Sequence, residues 1–229
     1  MRELEVGLWS LTFGLQRPCD DACMRTRQWL IICLLAVLGA ACSSQPKTTD
    51  SNAAKTRLPQ SASLPARWWT WTESMPPAKN PIDDSSGSSC GLNQPQDVWF
   101  LAGTHGGSVE RRCNLPEGSS IYFPVLNQIC VLPGESATKA LDNCTASATS
   151  ATATLDGRPL KVVEADTGGL FDFDAKPNSS SGLTQGHNKA VAWGLWVGPL
   201  PLNTGRHVLR FQGASGSFSL SVTYRLQVG

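Results

Sequence analysis

Charge of either sign is not in excess, since 19 lysines and arginines stand against 18 aspartates and glutamates. No basic cluster follows a helix face, and a nucleic-acid surface needs such a stripe to displace phosphate counterions, so nucleic acid is not an expected partner. A P-loop, a dinucleotide fingerprint and an internal repeat are all missing, and no cofactor is indicated. The longest apolar run, residues 29–38, falls well short of the roughly 20 residues that span a bilayer. The 3 histidines, His105, His187 and His207, lie far apart in a turn, a loop and a strand. None neighbours a serine or cysteine in a catalytic layout, so each reads as structural. Long helical periodicity is scarce too, whereas Gly, Ser, Thr and Pro abound, a balance that favours many short strands joined by turns.

The N-terminal stretch reads as an address. Arg25, Thr26 and Arg27 precede the apolar run, which ends in Gly39, Ala40, Ala41 and Cys42; a basic n-region, a short h-region and small residues before a cut make a signal peptide. A cysteine directly after the small residues resembles the lipobox of bacterial lipoproteins, which implies cleavage before Cys42 and a diacylglycerol on its thiol. Residues 24–41 are then the leader and Met24 its natural start. Residues 1–23, with Glu3, Glu5, Asp20 and Asp21 where a leader would be basic, read as a non-native extension. Ser43 stands where the enteric lipoproteins retained in the inner membrane carry aspartate, so the resemblance implies the outer membrane. Residues 42–64, rich in Ser, Thr, Ala, Lys and Pro without apolar periodicity, read as a disordered tether.

From residue 65 onward the pattern is that of β-structure. Residues 97–130 hold three apolar runs and two turn signals: 98–101 is unbroken and predicts a central strand covered on both faces, 103–107 is a glycine-rich turn, and 108–114 and 121–125 complete a meander. Asp156-Gly157 between apolar runs predicts a hairpin. Residues 135–151 are Ala-rich at helical spacing. In the last segment Phe218, Leu220, Val222, Tyr224, Leu226 and Val228 alternate with polar residues, the pattern of a strand with one wet side. The expected fold is mainly β: an antiparallel β-sandwich of about seven to nine strands, immunoglobulin-like or jelly-roll-like, with one or two short helices, over residues 65–229.

Cys90, Cys113, Cys130 and Cys144 form an even set in an oxidising compartment. About three pairings are open to four cysteines; Cys90 with Cys113 and Cys130 with Cys144 are preferred because each closes a short loop. Zinc is the rival, but no C-x-x-C pair or nearby histidine accompanies them, and no metal site is expected. Residues 80–87 group oxygen ligands of the kind calcium takes, yet Asn, Asp, Ser and Gly are also ordinary turn residues. Ser89 formally occupies a G-x-S-x-G elbow, but that motif needs a strand before it and a helix after it, and polar loop flanks it here.

Trp68, Trp69 and Trp71 crowd one stretch that reads as a helical turn or two opened by Pro65. Exposed, their rings are candidates for stacking on a ligand; buried, they close one end of the sandwich. Carboxylates at Asp172, Asp174, Asp97 and Glu164 are candidates for glycan hydrolysis, which requires two of them to converge about 5 to 9.5 Å apart. RWWTW, NPIDDSSG, DVWFLAGT, RRCNLPEG and IYFPVLN resemble the signature blocks of a family of uncharacterised bacterial secreted proteins. That resemblance implies an exported β-rich domain and carries no activity or site. Residues 205–224 are also similar to the closing strands of immunoglobulin-like sandwiches.

The function expected from these features is non-enzymatic: a lipid-anchored cell-envelope module that binds a polymer or protein partner, or serves structurally. An exposed patch at the three tryptophans or a groove near residues 103–107 would mark its site. A glycan hydrolase using the four carboxylates is the alternative.

Overall fold

The computed structural model describes residues 62–131 and 137–229; the leader, Cys42, the extension and nearly all of the tether lie outside the described residues. Helix α1 (Leu64–Glu73) opens on Pro65, whose fixed φ suits a first helical turn. The strands follow: β1 (Trp99–Phe100), β2 (Gly107–Leu115) and β3 (Ser120–Val131), then helix α2 (Ala137–Asn143), and then β4 (Ala148–Leu155), β5 (Arg158–Pro159), β6 (Val163–Asp166), β7 (Phe171–Ala175), β8 (Gly186–Pro201), β9 (Gly205–Ser215) and β10 (Phe218–Val228). They form two five-stranded sheets, β1-β3-β8-β6 with β7 also on β8, and β2-β10-β9-β4-β5.

Two apolar layers hold the domain together. Leu101, Phe123, Val125, Leu209, Phe211, Val222 and Leu226 fill the space between the sheets. The outer face of the first sheet carries a second, aromatic layer in which α1 supplies Trp68, Trp69 and Trp71 against Phe100, Tyr122, Phe173 and Trp196. Trp68 meets Trp69 and Trp196 edge to face at 5.1 and 5.7 Å, and Tyr122 stacks on Trp196 at 5.1 Å. Each buried tryptophan removes roughly 150–250 Å² from water, on the order of 4 kcal/mol at about 25 cal/mol per Å². Helix α1 is therefore the lid of the aromatic layer rather than an appendage.

The mainly β sandwich with two short helices matches the expectation, and the hairpin at Asp156-Gly157 forms, both residues at positive φ as a tight turn between twisted strands demands. Four expectations are corrected. Residues 97–130 are not a meander: β1 pairs parallel with β3 over Trp99 and Phe100, and the chain then crosses to the other sheet, where β2 runs parallel to β10 from Gly107 to Leu115. The strand at 98–101 is covered on both faces as its unbroken apolar run requires, Phe100 toward the helix and Leu101 between the sheets, but it sits at an edge. Residues 135–151 do not form one helix; α2 ends at Asn143 and Ala148 already begins β4, because pairing with β9 overrides the helical preference of alanine. The strands number ten among the described residues, one above the expected range, and two of them, β1 and β5, are only two residues long.

Both preferred disulfides are present, Cys90 to Cys113 and Cys130 to Cys144. The first bolts the loop at 80–96 to β2, beside a backbone bond in which Arg112 donates to the Ser86 carbonyl at 2.8 Å. Gly87 makes this approach possible: at its φ of +92°, a Cβ would lie 2.1 Å from the Arg112 carbonyl oxygen.

Candidate functional site

A cleft of about 160 Å³ opens where the chain leaves the first sheet. Its walls come from α1 (Trp68, Trp69), Ile82, the crossing segment (Gly103, Thr104, His105), β3 (Pro124, Val125, Asn127) and the start of β10 (Phe218, Leu220), with Ser181 completing the lining. Gly103, Thr104 and His105 place this cleft at the glycine-rich turn, and Trp68 and Trp69 extend it to the tryptophan helix. The rings themselves are not a stacking platform: Trp68, Trp69 and Trp71 are 1%, 6% and 1% exposed. Trp68 and Trp71 spend their indole N–H groups on the carbonyls of Leu101 and Leu92, at 2.9 and 2.8 Å.

The shape of this cleft is set by a buried cation. Arg111 is 1% exposed. Its guanidinium donates to the carbonyls of Ala102 and Gly103 at 2.7 and 2.8 Å, of Asp84 at 2.5 Å and of Ile82 at 3.0 Å, and to the Tyr224 hydroxyl at 3.0 Å. The same hydroxyl accepts the Ala102 N–H at 3.2 Å and donates to the Ala102 carbonyl at 3.0 Å. Tyr224 thus takes the place that a neighbouring strand would hold, and burial pushes its own ionisation upward. Together the two side chains fix where residues 102–103 leave the sheet and where Ile82 sits, so they position two walls of the cleft.

The rim is held by carboxylates. Glu73, 1% exposed, accepts from the hydroxyls of Ser179 at 2.6 Å and Ser181 at 2.8 Å. Asp83 takes the Ser180 hydroxyl and lies 3.4 Å from His105. The adjoining loop is internally closed. Asp84 accepts the Ser89 and Ser86 N–H groups at 2.7 and 2.8 Å, contacts that hold its carboxyl below the usual range against the opposing effect of burial. Asn80 bridges the Thr72 carbonyl and the Ile82 N–H. The oxygen-rich stretch 80–87 is accordingly a turn network, and among the described residues no group of three or more His, Cys, Asp or Glu is arranged to hold a metal.

Two donors in the cleft wall have no partner: Nε1 of Trp69 and Nδ2 of Asn127, both shut off from solvent. Buried donors left unpaired cost about 1–3 kcal/mol each, which is why folded proteins seldom keep them. Arg67 Nε and Trp99 Nε1 are unpaired as well, but neither residue lines the cleft. Asn127, Arg111, Tyr224 and Glu73 carry no motif; the signals in the sequence were the glycine-rich turn and the tryptophan cluster, of which Trp68 and Trp69 line the cleft.

The four carboxylates considered for hydrolysis are not brought to this cleft. Asp97 forms a two-pronged ion pair with Arg67 at 2.5 and 3.0 Å, which lowers its ionisation range. Glu164 accepts the Trp193 indole N–H at 2.5 Å. Asp172 and Asp174 point to the exposed face of β7, where His187 stands between them at 3.0 and 3.7 Å and Lys189 lies 3.6 Å from Asp172. Ser89 sits in a turn with no strand before it or helix after it, beside the bridged Cys90. Comparison with protein-family models and with curated proteins finds no match.

Proposed function

We propose that this chain is a lipid-anchored module of the bacterial cell envelope that binds a partner without transforming it. Its tether at residues 42–64 joins Cys42 to the folded domain and, at about 5–6 Å times the square root of its length, gives it a reach of some tens of ångströms from the lipid. The two disulfides suit an oxidising compartment, and several acyl chains on one cysteine would make attachment durable at about 0.8 kcal/mol per buried methylene. The Ser43 position favours the outer membrane. Binding is favoured over chemistry by one observation: the cleft wall holds two desolvated, unpaired donors, Trp69 Nε1 and Asn127 Nδ2, while the carboxylates that could act as acid and base are paired elsewhere.

The anchor is tested by expressing the chain with radiolabelled palmitate in the presence and absence of globomycin. Label on the mature protein, precursor accumulation with globomycin and loss of label in Cys42→Ala are the expected results. A mature soluble protein with a free Cys42 thiol overturns the anchor.

A further inference from the structure

The outer face of the second sheet gathers positive charge. From residue 62 onward acidic residues slightly outnumber basic ones, so the overall balance does not predict such a face. It follows from register. On β10 the side chains of Leu220, Val222, Tyr224 and Leu226 are buried, which turns Ser221, Thr223, Arg225 and Gln227 outward. Arg225 stands opposite Arg112 on β2 and Val208 on β9, and Val208 is flanked on its own face by Arg206 and Arg210. All four arginines are exposed. At the usual strand spacing and rise they occupy a patch about 10 Å across and about 14 Å long. One carboxylate answers them. Glu110 accepts the Arg225 Nε–H at 2.6 Å, and it is held below the usual carboxylate range first by that bond, then by the charges of Arg225, Arg112 and Arg210. Among the described residues Arg112, Arg206 and Arg210 make no ion pair of their own. Like charges directly opposite each other destabilise a sheet, so the Arg112 and Arg225 pairing is not explained by folding alone.

We infer that this face is a docking surface for an acidic polysaccharide of the cell envelope, whose carboxylates seat on Arg112, Arg206, Arg210 and Arg225. The inference goes beyond the cleft, none of whose lining residues lies on this face, and rests on the envelope reading only for the source of the polymer. A flat face has no walls to enclose a lone anion. Affinity there requires several charges joined in one chain, each bound at the effective concentration set by its neighbours. The four cations are all arginines, whose planar fork matches a carboxylate with two parallel N–H bonds, where lysine offers a point charge. Glu110 on Arg225 is already one carboxylate held on this face. Around the arginines, Ser108, Asn114, Gln212, Ser221, Thr223 and Gln227 supply hydroxyls and amides suited to sugar hydroxyls. No aromatic ring turns outward on these three strands to stack on a base, and no apolar side chain larger than Val208 does so to enter a bilayer. Those absences disfavour nucleic acid and a lipid surface.

The test holds the full-length chain on a surface by a C-terminal tag and passes over it polygalacturonate, its fully methyl-esterified form, phosphatidylglycerol vesicles and duplex DNA. Polygalacturonate should bind, more weakly as salt is raised. The ester keeps the sugars, loses the charge and should not bind. Arg225→Gln and Arg112→Gln should each weaken binding about fivefold, and Glu110→Gln should tighten it about twofold, a gain that a purely structural face would not give. Lys189→Gln removes the same charge from the first sheet and should leave affinity unchanged. Equal binding by the ester, or an equal loss in Lys189→Gln, overturns the face. Preference for the vesicles or for the duplex overturns the polysaccharide. Absence of binding to every probe overturns this inference alone, since lipid labelling at Cys42 decides the anchor separately. All four substituted side chains are exposed, and the comparison of polygalacturonate with its ester on the wild-type chain stands without any variant.

Discussion

The hairpin of β9 and β10 and the crossing segment at residues 98–111 both bury apolar side chains in the sandwich, yet different forces hold them. In the hairpin, Leu209, Phe211, Val222, Tyr224 and Leu226 fall on one face by simple alternation, and ladder bonds satisfy the backbone from Gly205 to Val228. In the crossing segment the backbone leaves one sheet before it joins the other, so ladder bonds cannot satisfy it. Arg111, Tyr224 and Gln94 supply the partners instead. The lesson is that a period-two apolar pattern is enough where strands stay in register, whereas a chain that changes sheets needs polar side chains brought from distant positions.

The largest effect should come from removing the cation. Arg111→Met keeps volume and removes a donor from four backbone carbonyls and a hydroxyl in a closed interior, leaving the Ile82, Asp84 and Gly103 carbonyls without the guanidinium while the Ala102 carbonyl and the Tyr224 hydroxyl keep each other. Unpaired buried acceptors cost about 1–3 kcal/mol apiece before relaxation, so a net loss of roughly 4 kcal/mol is expected by urea denaturation. Leu226→Ala in the hairpin, a simple truncation, should cost about 3 kcal/mol. The comparison breaks if Arg111→Met is the milder of the two, for the crossing would then be held by its apolar residues.

Tyr224→Phe sharpens the point, because the residue belongs to both regions. The ring keeps its place between the sheets, 6.4 Å from Phe211, while the hydroxyl that serves Ala102 and Arg111 is lost. A loss of about 1–2 kcal/mol is expected. Amide exchange should accelerate at Ala102, whose N–H is orphaned, and stay unchanged in the β9–β10 ladder. Uniform acceleration through both would mean that the two regions are one cooperative unit and the distinction is empty.

This division also explains what could be read before the structure. The alternating run at 218–228, the turn at Asp156-Gly157 and the short disulfide loops are local, and each follows from a few neighbouring residues. The parallel pairing of β1 with β3 and of β2 with β10 is not local: the same three apolar runs satisfy a meander and a crossover equally well, and the decision is made by Arg111 and Tyr224, 113 positions apart. The cleft inherits this illegibility. Its glycine-rich wall was visible, but its donors Trp69 and Asn127 and its rim at Glu73 and Ser181 matter only because folding places them together. The tryptophans were legible as a cluster, and either fate was compatible with the composition; the aromatic layer against Tyr122 and Trp196 buries them.

The smallest effect is expected at the far end of the hairpin, where charge enters. His207 stands between two acceptors, its Nδ1 2.7 Å from a carboxylate oxygen of Asp156 and its Nε2 2.9 Å from the Asn203 carbonyl. Two acceptors call for two N–H groups, so the imidazolium is the form that fits, and the Asp156 contact first, then the carbonyl, raise the histidine above its ordinary value. The same contact, with the Val208 N–H, lowers Asp156. For a group raised on folding, the contribution is complete below the ordinary histidine range, near 6.5, and disappears as pH climbs through the raised value. Asp156 acts in the opposite sense, its share present above the ordinary aspartate range and lost as pH falls through the lowered value. Because Asp156 is about half exposed, solvent and salt screen the pair. The expected gap in Tm between wild type and His207→Gln is therefore about 1–2 °C at pH 6, closing toward pH 8.5 and shrinking in high salt. A gap that widens with pH would reverse the assigned protonation and make the neutral ring the stabilising form.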